Sequence, residues 1–297
     1  MKAGTIDIIM PFYGDPAQFK EAVLSVLAQD DPDWRLVIVD DCYPQWDPSE
    51  WVQGLGDARI SLERNPENLG VSRTFDRCIE LARNEYLAIP GCDDRLLPTY
   101  VTEVRSLIGD GGRPEYVQPA VVVIDENGHE ARPLADRVKA LVRPRISGPT
   151  PLSGDLLATT LMRGNWTYFP AICWRADVLR RFRFTDRYEI VMDLALQMDI
   201  LLAGGRLVAS SVPAFEYRRH SASASSYTAS DGTRFVEERD FYRTAVTRLR
   251  DVGWQRAARA ARLRITSRLN ALSKIPSAIG RGHWSAATVL LSHVFAA

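Results

Sequence analysis

The sequence predicts an α/β fold: a Rossmann-like sandwich with a mainly parallel central sheet and a helical C-terminal extension. Three observations carry that expectation. Short β-branched runs alternate with amphipathic helical patterns over the first 125 residues, which implies parallel strands joined by crossover helices. Each of the first runs ends in a turn residue or an acid. The last seventy residues change to a basic, helix-periodic composition. A chain of 297 residues with 46% apolar and 25% charged side chains has one to two domains' worth of core and is not disordered.

The elements follow in order. Residues 6–10 form a β-branched run closed by Pro11, read as a buried strand. Asp15-Pro16 opens a helix, with proline in the first turn where its missing N–H is harmless. Residues 36–39 form a second strand ending at Asp40-Asp41, and residues 59–62 a short third. A helix runs from about 69 to 83 with Phe75, Cys78, Ile79 and Ala82 inward. Residues 86–89 form the next strand, which ends at Pro90-Gly91-Cys92-Asp93-Asp94. Pro98 starts another helix, and residues 116–124 form a central strand. Residues 125–155 read as loop. Residues 188–203 read as a helix stopped by Gly204-Gly205, residues 206–217 as a strand, and 235–272 as one or two helices. In such sheets ligands bind beyond the carboxyl ends of the strands, where Pro11 to Tyr13, Asp40-Asp41 and Asp93-Asp94 fall.

Charge and cysteine usage narrow the function. Lys plus Arg and Asp plus Glu are equal at 37 each, which argues against nucleic-acid binding by bulk charge. The balance is uneven: residues 234–281 hold 12 basic and 4 acidic side chains. The four cysteines are far apart without a C-x-x-C pair, so a zinc site is not expected and a reducing compartment is. The opening residues do not read as a signal peptide, and no run of about 20 apolar residues exists. A cytoplasmic protein, peripheral to the inner face of a membrane at most, is the expectation. A nucleotidyltransferase would need a Gly-rich basic loop after the first strand, and Phe12-Tyr13-Gly14-Asp15 is too short and too acidic.

The ordered stretches IDIIMPFYG, LVIVDDC, NLGVSRTFDRCIELARNEYLAIPGCDDRLLP, GNWTYFPAICWRADVL, EIVMDLALQMDILLAGGRL and EYRRHSASAS resemble family 2 glycosyltransferases, which are inverting enzymes with the GT-A fold. The resemblance spans about residues 7 to 226. It implies a catalytic domain over 1–230, with a nucleotide-sugar half to about 125 and an acceptor half from about 126, and a basic helical extension over 231–297. It implies transfer of a sugar from a nucleotide-diphosphate donor to a hydroxyl acceptor, assisted by Mn2+ or Mg2+.

The site residues are carried over on the matching motifs. Pro11, Phe12, Tyr13 and the pair Asp40-Asp41 would hold the nucleoside: a carboxylate accepts from a base imino N–H and a ring stacks on the base. Which aspartate touches the base stays open, and either can simply close an Asx-turn. Asn68 and Gly70 match a helix-start turn, and Arg73 lies one turn on, within reach of base or phosphate. In the acidic motif Gly91 takes the place of the first acid, Cys92 the variable position, and Asp93 and Asp94 the last two. Asp93 matches the acid that ligates the metal, although a charge pair near a helix start is also favoured by the dipole. Asp193 takes the place of the catalytic base, which removes the acceptor proton as the hydroxyl attacks. Arg219 would meet the diphosphate and His220 the metal or a phosphate. Trp166 would line the acceptor side.

Residues 254, 258, 261, 265, 269 and 272 make one apolar stripe beside Arg256, Arg259, Arg262, Arg264 and Arg268. An anionic membrane surface, a homo-oligomer contact or packing on the body all fit it. A catalytically silent nucleotide- or glycan-binding module with a basic interaction helix is the alternative reading.

Overall fold

The computed structural model describes residues 4–184, 187–219 and 233–295. The strands are β1 (Ile6–Phe12), β2 (Trp34–Asp40), β3 (Ile60–Arg64), β4 (Tyr86–Ala88), β5 (Arg95–Leu96), β6 (Tyr116–Ile124), β7 (Thr150–Ser153), β8 (Cys173–Arg175) and β9 (Arg206–Arg218). They join one sheet in the order β3-β2-β1-β4-β8-β6-β9-β5, with β7 also on β9. The pairs β2–β3, β1–β2, β1–β4 and β6–β9 are parallel, and β8 enters antiparallel between β4 and β6.

The helices of the body are α1 (Pro16–Leu27), α2 (Ser49–Gly54), α3 (Val71–Leu81), α4 (Tyr100–Asp110), α5 (Leu134–Val142), α6 (Gly154–Arg163), α7 (Ala176–Phe182) and α8 (Met192–Leu202). Alternation along β1 sends Ile8, Met10 and Phe12 to one face, under Phe19 and Val23 of α1. Ile9 goes to the other, with Ile79 of α3 and Leu157 of α6. Both faces are therefore covered, as a parallel sheet requires.

The structure departs from the sequence reading in four places. The stretch read as loop over 125–155 contains α5 and β7. The exposed Leu134 and Leu141 give α5 no continuous apolar stripe, so its periodicity is invisible. α2 and the two-residue β5 are too short to signal. β9 carries a register shift, with Gln118 opposite Ala209 but Ala120 opposite Pro213. That bulge accommodates Pro213 inside a strand. Finally, the C-terminal region is four helices: α9 (Thr233–Asp251), α10 (Gln255–Leu263), α11 (Ile265–Gly280) and α12 (Trp284–Phe295). Arg264, in the left-handed conformation at φ 36° and ψ 47°, separates α10 from α11. α10 is tied to the body where the Ala257 N–H donates to Asp155 Oδ1 at 3.0 Å.

Candidate functional site

At the carboxyl end of β2 both aspartates are buried. Asp40 Oδ1 accepts from the Tyr43 N–H at 3.0 Å. Its Oδ2 has no aligned donor, although Arg64 Nη1 lies 3.3 Å away as an ion pair. Burial pushes the Asp40 carboxyl up, against the Tyr43 hydrogen bond and the Arg64 charge. Asp41 Oδ1 accepts from Asn65 Nδ2 and the Leu69 N–H, both at 2.8 Å, and Oδ2 from the Gly70 N–H at 3.0 Å. Asn68 Oδ1 accepts from the same Gly70 N–H at 2.9 Å. Gly70, at φ 76°, is the N-cap of α3 and takes a backbone conformation that side-chain residues avoid. Arg73 is exposed on the first turn.

The nearby rings divide by exposure. Phe12 is 0% exposed and packs on Phe19, Tyr43 and Trp46. The expectation that Phe12 stacks on a base is corrected here: its ring is core. Tyr13, one residue on, is 49% exposed, with its ring near-perpendicular to that of Tyr43 at 5.1 Å. Pro11 lies within β1, opposite Val39.

The second acidic turn follows β4. Asp94 is buried and accepts from the Arg218 N–H at 2.9 Å and the Gly91 N–H at 3.3 Å. Burial, then the Asp93 charge, hold its carboxyl well above the ordinary range. Arg218 is buried as well. Its guanidinium donates to Asp93 O at 2.7 Å, to Glu126 O at 3.1 Å and to Glu21 Oε2 at 2.8 Å. Gly91 has a steric reason: a Cβ there would lie 2.5 Å from Asp93 Oδ1 and 2.7 Å from Asp94 Oδ2. Both carboxylates lean over the place where a side chain would start, so no acid fits at 91 in this arrangement. The Cys92 sulfur sits near Gly14, whose added Cβ would lie 3.6 Å from it, and burial pushes its thiol up to about 12.

A third region faces these turns. Asp193, in the first turn of α8, accepts from Asn165 Nδ2 at 2.8 Å and from the Leu194 N–H at 2.7 Å. Burial raises its carboxyl, against the Asn165 bond and the Lys139 charge. Asn165 is itself held, accepting the Thr167 hydroxyl at 2.6 Å, and Gln197 Nε2 donates to that hydroxyl at 2.9 Å. Lys139 of α5 donates to Thr167 O at 2.7 Å over the Tyr168 ring, and burial brings its ammonium down to about 8. Tyr168 donates to Asp136 at 2.8 Å. Arg219 grips the same carboxylate with two bonds, at 2.8 and 3.0 Å. A chain of contacts thus leads from the Asp93-Asp94 turn to Arg218, whose neighbour Arg219 holds Asp136; Asp136 holds Tyr168, Lys139 lies over the Tyr168 ring and bonds Thr167 O, and the Thr167 hydroxyl reaches Asp193 through Asn165. Beside it a cleft of about 480 Å³ opens between β6 and α5.

Trp166 is buried and donates from Nε1 to Thr160 at 3.1 Å. It borders that cleft from within the core. His220 lies outside the described residues. Sequence reasoning missed Asp136 and Lys139, and it put Arg218 with Arg219 toward a diphosphate where the structure buries Arg218 against Asp93 O, Glu126 O and Glu21; a polar residue in a loop between strands was the available signal for Asp136. Among the described residues no three His, Cys, Asp or Glu side chains cluster as a metal site. Asp93 does fit a divalent cation of the Mg2+ or Mn2+ type, which takes one or two carboxylates with phosphate and water making up the rest.

Residues 7–168 match the family described as glycosyl transferase family 2. A putative colanic acid biosynthesis glycosyl transferase, WcaA of Escherichia coli K12, is 38% identical over 30% of this chain, and the match spans 32% of WcaA. An uncharacterized protein of Mycobacterium tuberculosis, MT1568, is 27% identical over 84% of this chain and 75% of its own length. Among solved structures, S. aureus TarS 1-349 superposes with a TM-score of 0.68 at 15% identity, over 98% of this chain and 81% of that one. The mannosyltransferase PcManGT from Pyrobaculum calidifontis, in complex with GDP-Man and Mn2+, gives 0.63 at 14% identity over 98% and 86%. These two likenesses establish the fold.

Proposed function

The chain belongs to glycosyl transferase family 2, and from that premise we propose that it moves a sugar from a nucleotide-diphosphate donor to a hydroxyl acceptor with inversion. The observation that carries the proposal is the chain of contacts leading from the Asp93-Asp94 turn to Asp193. The base sits between Tyr13, Asp40 and Asp41: Asp40 Oδ2 lacks an aligned donor and Asp41 Oδ2 keeps a lone pair. Asn68, Gly70, Arg73 and Cys92 border the donor, and Arg219 lies on the diphosphate side. Asp193 takes the proton of the acceptor hydroxyl as it attacks the anomeric carbon from the face opposite the diphosphate. Asn165 orients that carboxylate. Asp93, with His220 as a second candidate, would hold Mn2+ or Mg2+, which when bound supplies neutralising charge for the leaving diphosphate. The acceptor enters by the cleft beside α5.

PcManGT binds GDP-Man with Mn2+ and TarS has been crystallised with UDP-GlcNAc, so both nucleotides belong in the test. The relatives' names, which give colanic acid and teichuronic acid biosynthesis, support polysaccharide biosynthesis as the setting. Four free thiols fit work in the reducing cytoplasm. Among the described residues no helix is long and apolar enough to cross a membrane.

The experiment is thermal stability against UDP-, GDP- and dTDP-sugars, with and without Mn2+, followed by NMR of the anomeric product. A donor at about 100 times its dissociation constant adds about 2.7 kcal/mol. Metal-dependent stabilisation by one nucleotide class and an inverted product are expected. A retained configuration rejects the single displacement. Binding without hydrolysis or transfer makes the chain a silent binding module.

A further inference from the structure

The apolar stripe expected along residues 254–272 is divided by the structure. Its first half, Ala258 and Ala261 of α10, is buried against the body. Its second half is bare: on α11, Ile265 is 56% exposed, Leu269 58% and Leu272 47%. The break at Arg264 turns the second half outward. Spacings of four and three keep these residues on one face of α11. Arg268 directly precedes Leu269 on α11 and so lies about 100° around the helix from the apolar row, while the left-handed Arg264 caps the start of that helix.

The arginines converge with others from α9. A cavity of about 360 Å³ is bounded by Tyr242, Arg243, Arg250, Arg262 and Arg264. Arg243, Arg250 and Arg262 are exposed, and among the described residues no carboxylate pairs with any of them. Burial, and after it the Arg268 and Arg239 charges, push the buried Arg264 guanidinium below its usual range, with Tyr242 opposing them and Arg243 adding to them. Like charges are gathered here at a cost in repulsion, and an anion relieves it. Glu238 is the nearby acid, and it is occupied by Arg234 and Ser267.

We propose that this arginine-lined cavity binds the phosphate of an anionic phospholipid while the Ile265, Leu269 and Leu272 face rests in the bilayer interface. A basic cavity beside a bare apolar helix face matches the two chemistries of a lipid surface: phosphate charge and acyl carbon. The proposal stands apart from the transferase reading, since neither element belongs to the site around Asp93 and Asp193.

The test is flotation of the full chain with vesicles of phosphatidylcholine alone and with an equal mixture of phosphatidylcholine and phosphatidylglycerol. Binding to the mixed vesicles, weakened by added salt, is expected. Arg243→Gln and Arg262→Gln should each cost about fivefold in partitioning, and Leu269→Ser about tenfold. All three positions are exposed, so an unaltered melting temperature certifies folding, and donor hydrolysis in solution should stay at its starting rate. Equal binding to neutral vesicles, or arginine variants that float like the parent, overturns the proposal. So does inorganic phosphate stabilising the parent but not Arg243→Gln while vesicles go unbound, which makes the cavity a site for free phosphate. A stable dimer that Leu269→Ser converts to monomer overturns it too, since a second copy then covers the face.

Discussion

The carboxylates at the strand ends and those beyond β6 are held in place by different means. Asp41 and Asp94 bond chiefly to backbone N–H groups, those of Leu69, Gly70, Gly91 and Arg218, with Asn65 adding one side-chain bond to Asp41. Asp136 bonds to the side chains of Arg219 and Tyr168, and Asp193 to the side chain of Asn165 beside the N–H of its own neighbour Leu194. A carboxylate held by backbone fixes a turn and is costly to move. One held by side chains has its position and its proton affinity set by partners that a single substitution can change. Under the proposed function the first region would accordingly build a receptacle, and the second would tune a base.

The largest expected effect breaks the second region. Asp193→Asn should lower transfer by about 10²- to 10⁴-fold. The carboxamide oxygen keeps one of the two donors, Asn165 or Leu194, and its NH₂ meets the other, so stability should fall by about 1 to 3 kcal/mol, far less than the rate. Initial rates with saturating donor and acceptor check this, and an unchanged kcat would remove Asp193 from the chemistry. Next comes the join between the regions. Arg218→Ala strips bonds from the carbonyls of Asp93 and Glu126 and releases Glu21. Breaking a buried pair costs about 3 to 5 kcal/mol, and half-exposed Glu21 places this one near 3. Urea denaturation measures it; a loss under 1 kcal/mol would mean that the Asp93-Asp94 turn holds itself. Third, Asp41→Asn puts an NH₂ against a backbone N–H of Leu69 or Gly70, at about 1 to 3 kcal/mol. Nucleotide affinity should fall with stability. If only affinity falls, Asp41 serves the base and its backbone bonds are incidental.

The same division explains what the sequence discloses. Asp40-Asp41 and Asp93-Asp94 are legible because a strand announces itself by a β-branched run and its end by the first acid. That Asp94 turns inward while the Asp93 carboxylate leans over Gly91 is not legible, because it depends on Arg218, 124 residues away in the chain. Arg218 and Arg219 are adjacent, and strand parity decides which one is buried. The register shift between Ala209 and Pro213 resets that parity, so counting back along β9 does not reveal it. α5 hides for another reason. With Leu134 and Leu141 in solvent, the helix lacks an apolar stripe, and Asp136 and Lys139 vanish into an apparent loop. The stripe over 254–272 misleads in the opposite sense, since one left-handed residue, Arg264, divides what periodicity makes continuous.

The smallest effect is the most specific to a base held by side chains. Asn165 donates to Asp193 and so favours its ionised form, against the burial that raises the carboxyl. In the proposed role the base works ionised, so activity should fall as pH drops through this raised value. Asn165→Ala removes a bond that favours the carboxylate, which moves the acid limb of kcat to higher pH. At the optimum, kcat should fall about tenfold, as expected for one hydrogen bond to a charged group. Asn165→Asp is the contrasting variant: a second acid beside the first should move the acid limb further the same way. A pH–rate profile for both separates orientation from structure. If Asn165→Ala merely loosened the fold, kcat would drop with the acid limb unmoved, and Asp193 would be left without a tuned proton.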